Sequence, residues 1–193
     1  MLLAGGGLGV VLIAAVAAFV VTTASASATE TLRDAGCTFQ TVQAQSRDHI
    51  AEPNEDFDYN TDPPTSGPHF PNPPPVSVYE EPVEQFRLIH DLEHGVVVIQ
   101  YGDDVGDETV NQLIQWWRDD PNGVVIAPYP KLGRQIALAA WNAEESVPGE
   151  DVDPGRGILA KCPRFDEEAF DAFKDEYAFK GPERFEEDQL GPQ

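Results

Sequence analysis

Apolar and polar positions divide the chain into three regimes. The first is an uncharged run, Met1 to Val21 (MLLAGGGLGVVLIAAVAAFVV), and the first ionisable side chain after it is Glu30. As a helix the run is long enough to cross a hydrocarbon core of roughly 30 Å. Small residues at Ala24, Ala26 and Ala28 resemble a signal-peptidase site, so the segment is either an uncleaved anchor or a cleaved signal. The second regime, from 51 to 82, lacks periodicity, and Asn60 to Pro75 holds seven prolines in sixteen residues. Neither a helix nor a central strand tolerates that, which leaves a spacer or a stiff loop laid over the domain. The third regime is regular. Residues 84–93 (EQFRLIHDLE) predict a helix ending at Gly95, and 96–101 (VVVIQY) a buried strand. In 107–119, Val110, Leu113, Ile114 and Trp117 make the apolar stripe of a helix that Asp107 can cap.

Two further strands are predicted at 124–127 and 135–141, joined by PYPKLGR as a hairpin connection in which Gly133 takes positive φ. A last helix at 166–180 carries Ala169, Phe170, Phe173 and Tyr177 on one face and ends at Gly181. The order from Val96 onward is β-α-β-β-α. This predicts an α+β fold, a small mixed sheet with helices, after an irregular Pro-rich part and one membrane helix. The order is shared with the C-terminal half of thioredoxin-like domains, but no CxxC pair is present, so thiol exchange is not inferred. The predicted organisation is an anchor or signal at 1–21, a linker at 22–36, an extracytoplasmic domain at 37–185 and an acidic tail at 186–193. Trp117 fits the core stripe of its helix, whereas Trp116 lies about 100° away, either half-buried or marking a partner surface.

Charge changes the picture. The 193 residues hold 34 Asp and Glu against 12 Lys and Arg, a formal net charge of −22. A phosphate backbone would be repelled, so no nucleic-acid partner is expected. Acid spread along the whole chain with few lysines suggests a halophilic or salt-tolerant source. The two cysteines, Cys37 and Cys162, read best as one disulfide in an oxidising compartment, stapling the first turn of the domain to its last helix, with two buried thiols as the alternative.

All four histidines, His49, His69, His90 and His94, fall in the first half of the chain. His90 and His94 are four apart, so on a helix their rings share a face and can share a divalent ion. Gly67 and Pro68 precede His69 in a bend that fixes its ring. A stiff loop carrying one ligand back to a helix that carries two builds a three-His site. The string His90-Asp91-Leu92-Glu93-His94 also fits the H-x-x-E-H pattern of inverted zinc peptidases, with Glu93 as general base, although Gly95 and a strand follow where those enzymes continue the helix. The bland alternative is three structural histidines.

PPTSGPH (Pro63 to His69) followed by HDLEHGVVVIQY (His90 to Tyr101) resembles the prokaryotic family known as domain of unknown function 3105, whose pattern couples such a loop to an H-S-L-E-H-G segment before a strand. Asp91 stands where that pattern has Ser. Looser resemblance runs from about Cys37 to Gly181-Pro182-Glu183. It implies an extracytoplasmic, often membrane-anchored domain with no assigned reaction, and one site made of His69, His90 and His94 with His49 as a fourth candidate.

The only Met is Met1 and the thiols are expected to be oxidised, which excludes a soft Cu(I) site. Imidazole with a carboxylate from Glu93 or Asp91 suits zinc or Cu(II). Asp91, Glu93 and Asp62 are candidates to accept the second ring N–H of the ligands. The main expectation is therefore a single-pass cell-membrane protein, secreted if the signal is cleaved. Its outward-facing domain binds a transition metal, copper or zinc, beside an unidentified membrane-protein partner. The alternatives are a metal-dependent hydrolase using Glu93 and a non-catalytic accessory domain with structural histidines.

Overall fold

The computed structural model describes residues 27–54, 56–144 and 153–192. The membrane helix or signal expected at 1–21 lies outside them. No helix among the described residues is long and apolar enough to cross a membrane.

The fold is mixed α+β. Five strands, β1 (Thr38–Gln43), β2 (Val97–Tyr101), β3 (Val124–Pro128), β4 (Ile136–Asn142) and β5 (Arg156–Cys162), form one sheet in the order β1-β5-β4-β2-β3. β2 and β3 run parallel, and the other neighbouring pairs run antiparallel. Among the described residues four α-helices flank it: α1 (Ala28–Asp34), α2 (Gln85–Glu93), α3 (Asp107–Asp119) and α4 (Glu167–Tyr177). β2 is apolar at successive positions because both of its faces are covered. Val97 and Ile99 pack with Leu32, Leu113 and Phe170 from α1, α3 and α4. Val96 and Val98 pack with Leu88, Ile89 and Leu92 from α2.

Several expectations need correction. The β3–β4 connection is not a hairpin. β4 pairs with β2 and β5, so the chain from Tyr129 to Gln135 crosses the end of β2, where Tyr129 N–H donates to the Tyr101 carbonyl at 2.7 Å. β5 was absent from the predicted order. The stretch expected to be linker contains α1, closed by a capping box between Ser27 and Glu30. Gly106, not Asp107, caps α3, with no side-chain bond. α4 stops at Tyr177, three residues short of the predicted end. In the expected acidic tail, Leu190 is buried, and its carbonyl accepts from Gly123 N–H at 2.8 Å. Trp116 needs no correction: it is half-buried, one of its two expected outcomes, and donates to Asp171 at 2.7 Å.

Cys37 and Cys162 form a disulfide, S–S 2.02 Å. It ties the residue before β1 to the end of β5, a strand that was not expected, rather than to the last helix, which begins only at Glu167.

The proline-rich segment is a rigid loop over the α2 face of the sheet. Residues 63–69 are all buried, and the Asp62–Pro63 peptide is cis. Ser66 accepts from Gln45 N–H at 2.9 Å, and the Thr61 and Thr65 hydroxyls lie 3.1 Å apart. Tyr59 O–H donates to the Pro68 carbonyl. Gly67 sits at φ +119°, and a Cβ there would come 2.8 Å from the Tyr59 ring, so this bend requires glycine.

Candidate metal centre

Two backbone devices bring the histidines together. His49 and His69 lie side by side in an isolated parallel bridge, with Ile50 N–H donating to the His69 carbonyl at 2.8 Å and His69 N–H to the Asp48 carbonyl at 3.0 Å. Phe70 N–H donates to the Phe86 carbonyl at 2.9 Å, which docks the loop on α2. His90 and Glu93 project from that helix and His94 follows as its C-cap. The ring centroids of His49, His69 and His90 are 4.9 to 5.0 Å apart pairwise, and those of His90 and His94 are 4.5 Å apart.

The hydrogen bonds fix which nitrogen of each ring is available. His69 Nδ1 lies 2.8 Å from the Gly67 carbonyl, and His90 Nδ1 lies 2.6 Å from the Phe70 carbonyl. A carbonyl only accepts, so both Nδ1 atoms carry a proton, and in a neutral ring the lone pair sits on Nε2. Yet His69 Nε2 faces Glu93 Oε2 at 3.0 Å. Two acceptors hold that distance only with a proton or another cation between them. His90 Nε2 likewise faces His94 Nε2 at 3.0 Å.

Burial sharpens the electrostatics. Glu93 is 1% exposed. Burial works to raise its pKa, but the bonds and charges of His69 and of Arg47, whose Nε donates to Oε1 at 2.7 Å, outweigh that and bring it down to about 2. Burial keeps His94 neutral by lowering its pKa to about 4, and His90 is lowered for the same primary reason. Among the described residues, two groups of side chains offer ligand atoms all within 4.8 Å of one another: His49, His69, His90 and Glu93, and separately His90, His94 and Glu183.

The family described as protein of unknown function (DUF3105) matches residues 49–189. The chain belongs to it. No curated protein and no solved structure matches the chain.

In this DUF3105 chain the expected members His49, His69, His90 and Glu93 converge, and His94 stands one ring further along. Asp91 does not join the cluster. Its carboxyl is buried against the loop with Oδ2 unpartnered, and burial raises its pKa well above the carboxylate range. The expected carboxylate acceptors of the second ring N–H are replaced by carbonyls of the loop, since the loop passes close enough to supply Gly67 and Phe70. Asp62 instead accepts from the Tyr129 hydroxyl at 2.6 Å.

Sequence reasoning missed Arg47 and Glu183. Arg47 precedes His49 by two and so follows it across the β-bridge towards Glu93. Glu183 arrives because the chain after α4 packs against the end of α2. Phe179 N–H donates to the Gly95 carbonyl at 2.8 Å and Glu183 N–H to the Glu93 carbonyl at 3.0 Å. Only glycines permit that approach: a Cβ on Gly181 would lie 2.2 Å from the Glu93 carbonyl oxygen.

Proposed function

We propose that this domain binds one divalent transition-metal ion, zinc or Cu(II), through His49, His69, His90 and Glu93. The observation that carries the reading is the convergence of four ligand atoms within 4.8 Å of one another, with His69 Nε2 and Glu93 Oε2 3.0 Å apart at its buried centre. Two ligand atoms at 2.0–2.1 Å from one tetrahedral ion are about 3.3 Å apart, so a small contraction of the ion's shell, or a small outward shift of the rings, satisfies both. Each Nδ1–H bonded to a carbonyl is the outer-shell arrangement that orients a metal-binding ring. Three imidazoles and one carboxylate match borderline ions, not calcium or magnesium.

The hydrolase reading fares worse. A carboxylate bonded through both oxygens, with a pKa of about 2, is a poor proton acceptor near neutral pH, so Glu93 serves as ligand and anchor rather than base. Dispersed histidines would have favoured a purely structural role, and these are gathered.

The cellular setting belongs to the same proposal. The apolar run 1–21 serves as anchor or signal, and the domain works outside the cytoplasm, metal binding or delivery at the outer face of the cell membrane being its task. The Cys37–Cys162 disulfide supports this, because such bonds persist in oxidising compartments.

The test is the elemental content of tag-free protein. We expect close to one zinc or copper per chain in the wild type, under a tenth of that in His69→Ala and in the His90→Ala, His94→Ala double variant, and at least ten-fold weaker retention in Glu93→Gln. A folded wild type that never holds a stoichiometric ion overturns the proposal.

A further inference from the structure

The two ligand groups overlap at one residue. His90 belongs both to the buried set with His49, His69 and Glu93 and to the set with His94 and Glu183. Its Nδ1 is committed to the Phe70 carbonyl, so it has one nitrogen to offer and can serve one ion at a time. His94 Nε2 stands 3.0 Å from His90 Nε2 on one side and 3.9 Å from Glu183 Oε2 on the other. The row is wet at its ends and dry in its middle. His49 and Glu183 side chains are 46% and 49% exposed, whereas His69 is fully buried. Beside the outer group lies a cavity of about 310 Å³ walled in part by Pro73, Pro75, Phe185 and His94, and by Asp91, whose Oδ2 is unpartnered. It leaves room for the water or small ligands an ion must exchange.

Resting on the metal-site reading above, we propose that the ion occupies two positions in turn, an outer one on His90, His94 and Glu183 and an inner one on His49, His69, His90 and Glu93, and that His90 hands it across. The bond to His90 persists during the step. Bonds to His94 and Glu183 break as bonds to His49, His69 and Glu93 form, and the ion keeps its oxidation state. The proton between His90 Nε2 and His94 Nε2 moves to His94 Nδ1 as the ion arrives at the outer position, the proton held between His69 Nε2 and Glu93 leaves to solvent as the ion moves inward, and both return when it departs. Glu183 and His94 thus form a port that sets the speed of exchange without setting the capacity of the site.

The experiment uses zinc as the probe. Wild type, His94→Gln, Glu183→Gln and His69→Ala chains are saturated with Zn²⁺, their content is measured, and the ion is drawn off by excess chromogenic chelator in a stopped-flow instrument. We expect one ion per chain in the wild type and in the two port variants, with release at least five-fold slower in His94→Gln and in the mild surface change Glu183→Gln. His69→Ala should lose the slowly released ion. Two ions per chain at saturation, or exchange at the wild-type rate in both port variants, overturns the handover and leaves the inner site standing. An ion-free wild type removes both readings.

Discussion

Tyr59 shows how single side chains hold the loop that carries His69. Its hydroxyl donates to the Pro68 carbonyl, and burial pushes its pKa up to about 12 from the ordinary 10. Tyr129, bonded to Asp62, is raised too, by burial first and by that carboxylate second. A phenol that ionises at higher pH when folded stabilises the fold below the unfolded value, and that contribution is lost as pH rises through the folded value. Stability should therefore fall steeply between pH 10 and about 12 in urea titrations. Tyr59→Phe should cost about 1 kcal/mol at pH 7, where the carbonyl loses its donor, and should flatten part of that alkaline fall. An unchanged alkaline slope in the variant would show that Tyr59 is not among the groups responsible. At this scale the sequence was partly legible. His90 and His94 declared themselves by helical spacing and His69 by the stiff bend before it. Arg47 and Glu183 carried no such mark, because each reaches the cluster through a contact between segments far apart in the chain.

Among the elements, the legible ones were those whose burial leaves a plain mark in the sequence, an apolar stripe on a helix or an unbroken apolar run in a strand covered on both faces. α2, α3, β2 and β3 fall within a residue or two of their predicted bounds. β1 and β5 were invisible for physical reasons. β1 is an edge strand with mostly exposed positions, so Thr38–Gln43 shows no apolar alternation. β5 offers only Ile158, Leu159 and Ala160 as a continuous apolar run, too short to separate from a loop. The hairpin misreading has the same origin: a short turn between two strands does not say whether the second returns beside the first or steps over a third. The end of α2 is where element packing makes the outer ligand group. Gly181→Ala should push the segment 179–183 away from Glu93 and Gly95, since its Cβ meets backbone rather than a movable side chain. We expect a loss of roughly 2 kcal/mol or more in stability by denaturant unfolding, together with slower withdrawal of the ion by chelator, because Glu183 is carried away from His94. A variant as stable as the wild type would mean that the two backbones separate at little cost.

For the whole molecule, the decisive quantity is a net charge of −22 on 193 residues. Part of the small basic complement is spent inside the fold, Arg47 on Glu93 and Lys174 on the Asp120 carboxylate and carbonyl, and does little to neutralise the outer surface. The acids repel one another over distances that salt controls, about 10 Å at 0.1 M and about 3 Å at 1 M. The unfolded chain spreads those charges apart, so repulsion taxes the compact state more and salt should relieve it. Raising NaCl from about 0.1 M to about 1 M should then stabilise the fold by about 1 kcal/mol or more, roughly 2–4 °C in melting temperature for a chain of this size. Potassium chloride at equal ionic strength should act alike, because screening depends on charge and concentration. The disulfide loop spanning 125 residues restrains the unfolded chain and limits how far its charges separate, so reduction should enlarge the salt response. A melting temperature that is flat or falls across that range would show that the acids are already compensated by local hydrogen bonds, and would remove the physical basis for reading the composition as an adaptation to salt.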